Sequence, residues 1–236
     1  MKIPLVLLPG LLCDRTVWEA QVAGLSDVAD CIIPEWAGLD SLIAMAERAI
    51  QSAPLRFAVA GHSMGGRVAF EVYRRAGERI THLALLDTNF PSVAPGEAGE
   101  AEARGRSELL ELARTQGMRA MCEKWLIGMV PGYRRASDPE LLERITQMFC
   151  RSSPADYARQ IKALLDRPDA GPVLPTIRAK TLLLTGLDDQ WSTPTAHETM
   201  HRAIAGSKLI VVPKCGHMST LEQPEAVTNA FREWLS

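Results

Sequence analysis

The apolar positions of this chain fall into two alternating rhythms. Short continuous apolar runs at 3–8, 31–33, 55–60, 82–86, 181–185 and 208–212 have strand length and read as strands buried on both faces. Between most of them, apolar residues recur every three or four positions. Residues 16–25 place Trp18, Val22 and Leu25 on one face. Ser41 opens a helix running to about Ser52, with Leu42, Met45, Ala46 and Ala49 along its inner side. Residues 66–73, 194–205 and 224–235 continue the helical rhythm. Strands alternating with helices predict a parallel sheet covered on both faces, with any site at the carboxyl ends of its strands.

From residue 89 to 174 the strands stop. Residues 96–105 are charged and rich in glycine and alanine, and read as mobile at their start, ahead of the helices. Helical stretches follow at 107–115, 118–128, 139–151 and 154–166. Asp138-Pro139 and Ser153-Pro154 are helix starts, with proline at the first position, where no N–H is needed. The pattern divides the chain into a core, 1–88 with 175–236, and a helical cap, 89–174, laid over the strand ends. Met118, Met121, Trp125, Met129, Met148 and Phe149 give the cap an apolar stripe. Part of it packs helix on helix, and part must roof whatever lies beneath.

At 236 residues the chain suffices for one large domain with an insertion. A formal charge of −2 offers no electrostatic basis for binding nucleic acid or an anionic membrane, so a small-molecule partner is expected. Five widely spaced cysteines without a Cys-x-x-Cys pair fit reduced thiols in a cytoplasmic protein. Met1-Lys2, the apolar run after it and Leu11-Leu12-Cys13 together have the outline of a leader or lipoprotein site. Against this, Pro9-Gly10 breaks the run and Leu12 stands where processing wants a small residue, so the run is read as the first strand. No later segment is long and apolar enough to span a membrane.

The chemistry gathers at strand ends. Gly61-His62-Ser63-Met64-Gly65-Gly66 joins the third strand to a helix, which is the context of the G-x-S-x-G nucleophile elbow. So tight a turn leaves no room for side chains at 61 and 65, and it lifts the Ser63 hydroxyl above the sheet. A serine hydroxyl needs a base, and the base needs an orienting group. Of the five histidines, His217 alone lies in a loop directly after a strand, where Gly216 frees the backbone. His62 adjoins the serine but points away from it, and His82 opens a strand. For the acid, Gly186-Leu187-Asp188-Asp189 follows the fifth strand and offers two adjacent carboxylates. The order serine, aspartate, histidine is that of the α/β-hydrolases.

The chain resembles α/β-hydrolase-fold serine hydrolases of the capped, small-molecule esterase type over essentially its whole length. The resemblance rests on Leu7-Leu8-Pro9-Gly10-Leu11-Leu12, the Ser63 elbow, Gly186-Leu187-Asp188-Asp189 and Gly216-His217. It implies a mostly parallel sheet of about six strands and a triad of Ser63, Asp189 and His217, Asp189 being the third residue after the glycine. It also implies an oxyanion hole from the N–H groups of Met64 and Leu11, with Leu12 as the fallback donor. Pro9 departs from the family, whose members commonly carry histidine before the glycine. Leu12, Trp125 and Trp191 are the candidate substrate contacts, although Trp191 fits simple packing equally well. The implied reaction is cleavage of a small carboxylic ester, with no cofactor or metal. A lactonase, a carbon–carbon bond hydrolase, a lyase or a ligand-binding receptor on the same scaffold are the alternatives.

One rival motif remains. His197-Glu198-Thr199-Met200-His201 matches the H-E-x-x-H pattern of zinc sites. Ile204 and Ser207 stand where an extended motif would need glycine and histidine, and Ala196, Met200, Ala203 and Ile204 form an apolar stripe of their own. The two histidines are therefore expected to flank that stripe near solvent.

Overall fold

A computed structural model describes residues 2–236; Met1, the first residue of the leader-like stretch, lies outside the described residues. In chain order the elements are β1 (Ile3–Leu8), α1 (Glu19–Gly24), β2 (Ala29–Ile32), α2 (Leu42–Ser52), β3 (Phe57–His62), α3 (Met64–Ala76) and β4 (Ile80–Leu86). Four helices follow: α4 (Glu97–Met129), α5 (Gly132–Ser137), α6 (Pro139–Cys150) and α7 (Pro154–Leu165). Then come β5 (Lys180–Gly186), α8 (Pro194–Ala203), β6 (Lys208–Val212), α9 (Ser219–Glu222) and α10 (Pro224–Leu235).

As the pattern predicts, the six strands form one sheet in the order β2-β1-β3-β4-β5-β6, every pair parallel. Every residue of β3 is buried, because strands on both sides and helices on both faces enclose it. Each Leu, Val or Phe so buried contributes roughly 1.5–3 kcal/mol of transfer free energy. The strand order reverses between β1 and β3, and in open parallel sheets that switch point is where a crevice opens at the carboxyl edge.

The capping signals act as read. The Ser41 hydroxyl accepts from the Ile43 N–H, the Asp138 carboxylate from Leu141 and the Ser153 hydroxyl from Asp156. Several boundaries move. The third strand starts at Phe57, and Leu55 is exposed, since the pairing with β4 begins only at Phe57 and that with β1 at Ala58. The helix expected from Ser107 begins ten residues earlier, and Glu97 to Gly105 form the first turns of α4 behind Gly96. Alanines favour the helix, and Glu100–Arg104 and Glu102–Arg106 ion pairs span successive turns. Gly117, with a φ of 91°, is not itself helical and kinks α4 into two helical segments near the boundary expected between residues 115 and 118. The short α5 has no counterpart in the sequence reading.

Helices α4 to α7 form a layer without strands in which α4 packs on α6 and α7. Residues from this layer join the strand ends in lining a single cavity of about 570 Å³. Among the described residues no helix is long and apolar enough to cross a membrane.

Candidate active site

Ser63 sits between β3 and α3 with φ 54° and ψ −116°, a conformation that costs a side-chain-bearing residue on the order of 1–3 kcal/mol. Glycine neighbours make it attainable. A Cβ on Gly61 would collide with the Gly65 carbonyl, and one on Gly65 would collide with the Leu8 carbonyl. Ser63 is tied down by its own N–H to the Leu86 carbonyl at 2.9 Å and by the Thr88 hydroxyl, which donates to the Ser63 carbonyl at 2.8 Å.

The His217 loop comes to the serine across 154 residues of sequence. Ser63 Oγ lies 2.9 Å from His217 Nε2, and His217 Nδ1 lies 2.8 Å from Asp189 Oδ2. The other Asp189 oxygen accepts the N–H groups of Trp191 at 2.8 Å and Ser192 at 2.9 Å. With Asp189 ionised, Nδ1 carries the proton and Nε2 is free to accept from the serine. Burial alone would raise the Asp189 pKa, but the charge and hydrogen bond of His217 and the two N–H groups outweigh it and hold the carboxyl at about 2. Burial alone would lower the His217 pKa. The Asp189 charge and hydrogen bond reverse this, and the net shift is upward. Asp188, the adjacent candidate, is turned away and accepts from the Tyr133 hydroxyl at 2.6 Å.

Two further buried carboxyls brace this arrangement. Asp87, at the end of β4, accepts the Gly186 N–H at 3.1 Å and both the N–H and hydroxyl of Ser219. It thereby ties the Asp189 loop to the His217 loop. Glu222 accepts the N–H groups flanking His217, those of Gly216 and Met218, at 3.0 Å each. Burial, above all, pushes both carboxyls up from their ordinary pKa. A carboxylate at the end of the strand next to the elbow was a local signal for Asp87. Glu222 has none, because its role depends on how α9 folds back. His62 is wholly buried with Nε2 2.8 Å from the His217 carbonyl, so it supports the loop, and burial holds its pKa down at about 3.

Leu11 and Met64 both line the cavity with Ser63 and His217. No protein group among the described residues accepts either backbone N–H. The Leu12 N–H, by contrast, is taken by the Gln160 side chain at 2.8 Å, and Leu12 is not part of the cavity wall. The fallback donor and expected substrate contact is thus engaged elsewhere: its left-handed φ of 59° turns it toward α7. Trp125 and Trp191 do line the cavity. They stack on each other at 5.7 Å, and Trp191 meets His217 edge-on at 4.9 Å. Cys13 also lines it, while Cys215 is buried beside it; burial raises both thiols above their ordinary pKa.

The H-E-x-x-H pair is split by burial. His201 is exposed and bonds Ser207, but His197 is fully buried rather than near solvent, since α8 turns that face onto β5. Among the described residues no three His, Cys, Asp or Glu side chains converge as metal ligands.

The sequence model of the alpha/beta hydrolase family matches residues 5–230. The chain belongs to the alpha/beta hydrolase family. Among relatives in that family, a pimeloyl-[acyl-carrier protein] methyl ester esterase of Nitrosomonas europaea is 27% identical over 96% of this chain and 93% of its own. A thermophilic esterase from Thermogutta terrifontis, solved with malate bound, superposes with a TM-score of 0.87 at 30% identity, covering 100% of this hydrolase and 90% of that chain. The enol-lactonase of Burkholderia xenovorans LB400 superposes at 0.86 with 23% identity, over 100% and 92% of the two chains, a likeness of fold.

Proposed function

We propose that this hydrolase cleaves a small carboxylic ester through an acyl-enzyme formed on Ser63. His217 Nε2 takes the serine proton as Oγ attacks the carbonyl carbon. Asp189 holds the imidazole in the required tautomer and stabilises the imidazolium. The N–H groups of Leu11 and Met64 receive the negative charge that develops on the carbonyl oxygen. His217 then returns its proton to the leaving alcohol, and activates a water that releases the acid and frees Ser63. The observation that carries this reading is the unbroken chain Ser63, His217, Asp189 at 2.9 and 2.8 Å beside two uncommitted backbone donors. The esterase names of the Nitrosomonas europaea and Thermogutta terrifontis proteins point the same way. Under this reading the helical segment 89–174 is the cap, with Trp125 and Trp191 contacting substrate.

The test is a panel of p-nitrophenyl esters from acetate to decanoate, run with Ser63→Ala. Turnover that peaks at one chain length and vanishes in the variant supports the assignment. Absence of Ser63-dependent turnover across the panel would overturn it.

A further inference from the structure

The cavity above Ser63 carries charge that ester cleavage does not require. Its wall includes Arg67, Arg106 and Arg167 but a single carboxylate, Glu102. Glu102 is fully committed. Arg167 grips both its oxygens at 2.7 Å, and Arg106 donates Nε and a terminal N–H to one of them at 3.0 and 2.8 Å. Two of the three guanidiniums share that one carboxylate, and the third has none.

That third group is Arg67, which is only 9% exposed. Its protein hydrogen bond runs from one terminal nitrogen to the Pro91 carbonyl at 2.7 Å. Arg167 Nε reaches the same oxygen at 3.3 Å, so these two nitrogens are no more than 6.0 Å apart. A buried cation without a counter-ion, held close to another cation, is a costly arrangement in the free protein. Burial first, then the Arg167 charge, weakens its hold on its proton, although a guanidinium stays charged at neutral pH. An anion entering the cavity would relieve both costs. A second uncommitted polar group lies on the same wall: the Tyr157 hydroxyl, on a fully buried side chain, has no hydrogen-bond partner.

Arg67 follows Ser63 by four residues in α3, so its backbone lies roughly 6 Å along the helix from the serine. An oxyanion bound there would share one cavity with Ser63. We propose that the substrate carries a carboxylate remote from the scissile ester, held by Arg67 with Arg106 and Arg167, so that the preferred substrates are half-esters or lactones of dicarboxylic acids. The planar fork of arginine fits a carboxylate with two parallel hydrogen bonds. The substrate class rests on the ester-cleaving reading above; the anion site does not.

Two measurements separate them. In the first, kcat/KM is measured for monomethyl esters of C4 to C8 dicarboxylic acids and for methyl esters of monocarboxylic acids of matching length. The wild type is expected to favour the half-ester at least about tenfold at its best length, and Arg67→Met to cut that ratio by about 10- to 100-fold, the worth of a charged hydrogen bond. Arg67→Lys, which keeps the charge and loses the fork, should fall between them and serves if the methionine variant does not fold. A wild-type ratio of one or below at every length, or a ratio unmoved in a folded Arg67 variant, overturns the proposal. In the second, Ser63→Ala is titrated calorimetrically with glutarate and adipate against their diamides. Binding of a dianion at least about tenfold tighter than its diamide, lost when the Arg67 change is added, supports the anion site even if no ester is turned over. Equal binding of the two overturns it.

Discussion

Replacing Asp189 with asparagine tests the proposed chemistry at its most sensitive point. Asp189 Oδ1 accepts two backbone N–H groups, from Trp191 at 2.8 Å and Ser192 at 2.9 Å, while Oδ2 meets His217 Nδ1 at 2.8 Å. An asparagine has to keep its carbonyl oxygen on the two N–H groups, because the opposite flip would set its NH2 against two donors. Its NH2 then faces His217 Nδ1, which can accept only without a proton of its own. The imidazole proton is thereby moved to Nε2, 2.9 Å from Ser63 Oγ, where a vacant lone pair is needed. The backbone and the cavity wall are undisturbed, so the loss is in the base alone. For a serine triad that loss is about 10,000-fold in kcat, or roughly 5.5 kcal/mol of barrier. The assay is kcat on the best p-nitrophenyl ester, against the Ser63→Ala background, with circular dichroism to verify the fold. Asp188→Asn is the matched control: Asp188 bonds Tyr133 rather than the histidine, and its turnover should stay within about threefold of wild type, as for most exposed substitutions. An Asp189→Asn enzyme within tenfold of wild type, or an Asp188→Asn enzyme as impaired as it, would refute the reasoning.

Four other outcomes follow from the same geometry. Because the pKa of His217 is shifted upward and only its neutral form can accept the serine proton, kcat/KM should rise with pH with a midpoint above 6.5; a midpoint below 6.5 contradicts the assigned coupling to Asp189. The stability signs are opposite for the two partners. The His217 contribution is fully present below its unfolded pKa and fades as pH rises through the folded value. That of Asp189 is present above about 3.8 and fades as pH falls toward about 2, so melting temperature plotted against pH should decline on both sides. Gly65→Ala forces a Cβ into the Leu8 carbonyl and should cost at least about 1–3 kcal/mol, read as a lower melting temperature, with turnover lost as the elbow shifts; a variant as stable and active as wild type would show that the close approach is not needed. Gln160→Ala removes the acceptor of the Leu12 N–H and loosens the loop that presents Leu11. It should lower kcat about tenfold with a smaller change in KM, whereas unchanged kcat would detach that loop from oxyanion binding.

What was legible in the sequence is what short-range physics determines. The sheet, its parallel sense and its strand count follow from apolar runs and helical spacing. Ser63 and His217 stand out because each needs glycine or a strand end beside it, and those requirements are local. The residues alone offer Asp188 and Asp189, and the resemblance selects Asp189; the structure puts the Asp189 carboxylate on His217 and the Asp188 carboxylate on Tyr133. The readings that changed depend on distant partners. His197 is buried because α8 turns onto β5, which nothing in its own helix dictates. Residues 97–105 are helical where the sequence placed no helix before Ser107, helped by an ion pair from Glu102 to Arg167, 65 residues away. Arg67 looks like a solvated charge on a helix, and only its distant neighbours, the Pro91 carbonyl and the cavity wall it shares with α4 and α7, make it a buried one.

The backbone itself records where the fold accepts strain. Among the described residues the non-glycine positions with left-handed φ are Leu12, Ser63, Asp87 and Lys214. They lie in the loops after β1, β3, β4 and β6, all at the carboxyl edge of the sheet and none at the amino edge. Each costs on the order of 1–3 kcal/mol, so each must be held by something stronger than local preference. Ser63 is held by Leu86 and Thr88, and Leu12 by Gln160. Asp87 is held by the Leu184 carbonyl, Gly186 and Ser219, and Lys214 by Gln223. These partners come from neighbouring strands, from the helical layer and from the final helices, so the strained residues are secured by parts of the chain far apart in sequence. An edge built this way resists relaxation of any single loop. On the proposed function, the serine, the histidine and the two free N–H groups would thereby be set in place before substrate arrives, leaving little reorganisation to the reaction itself.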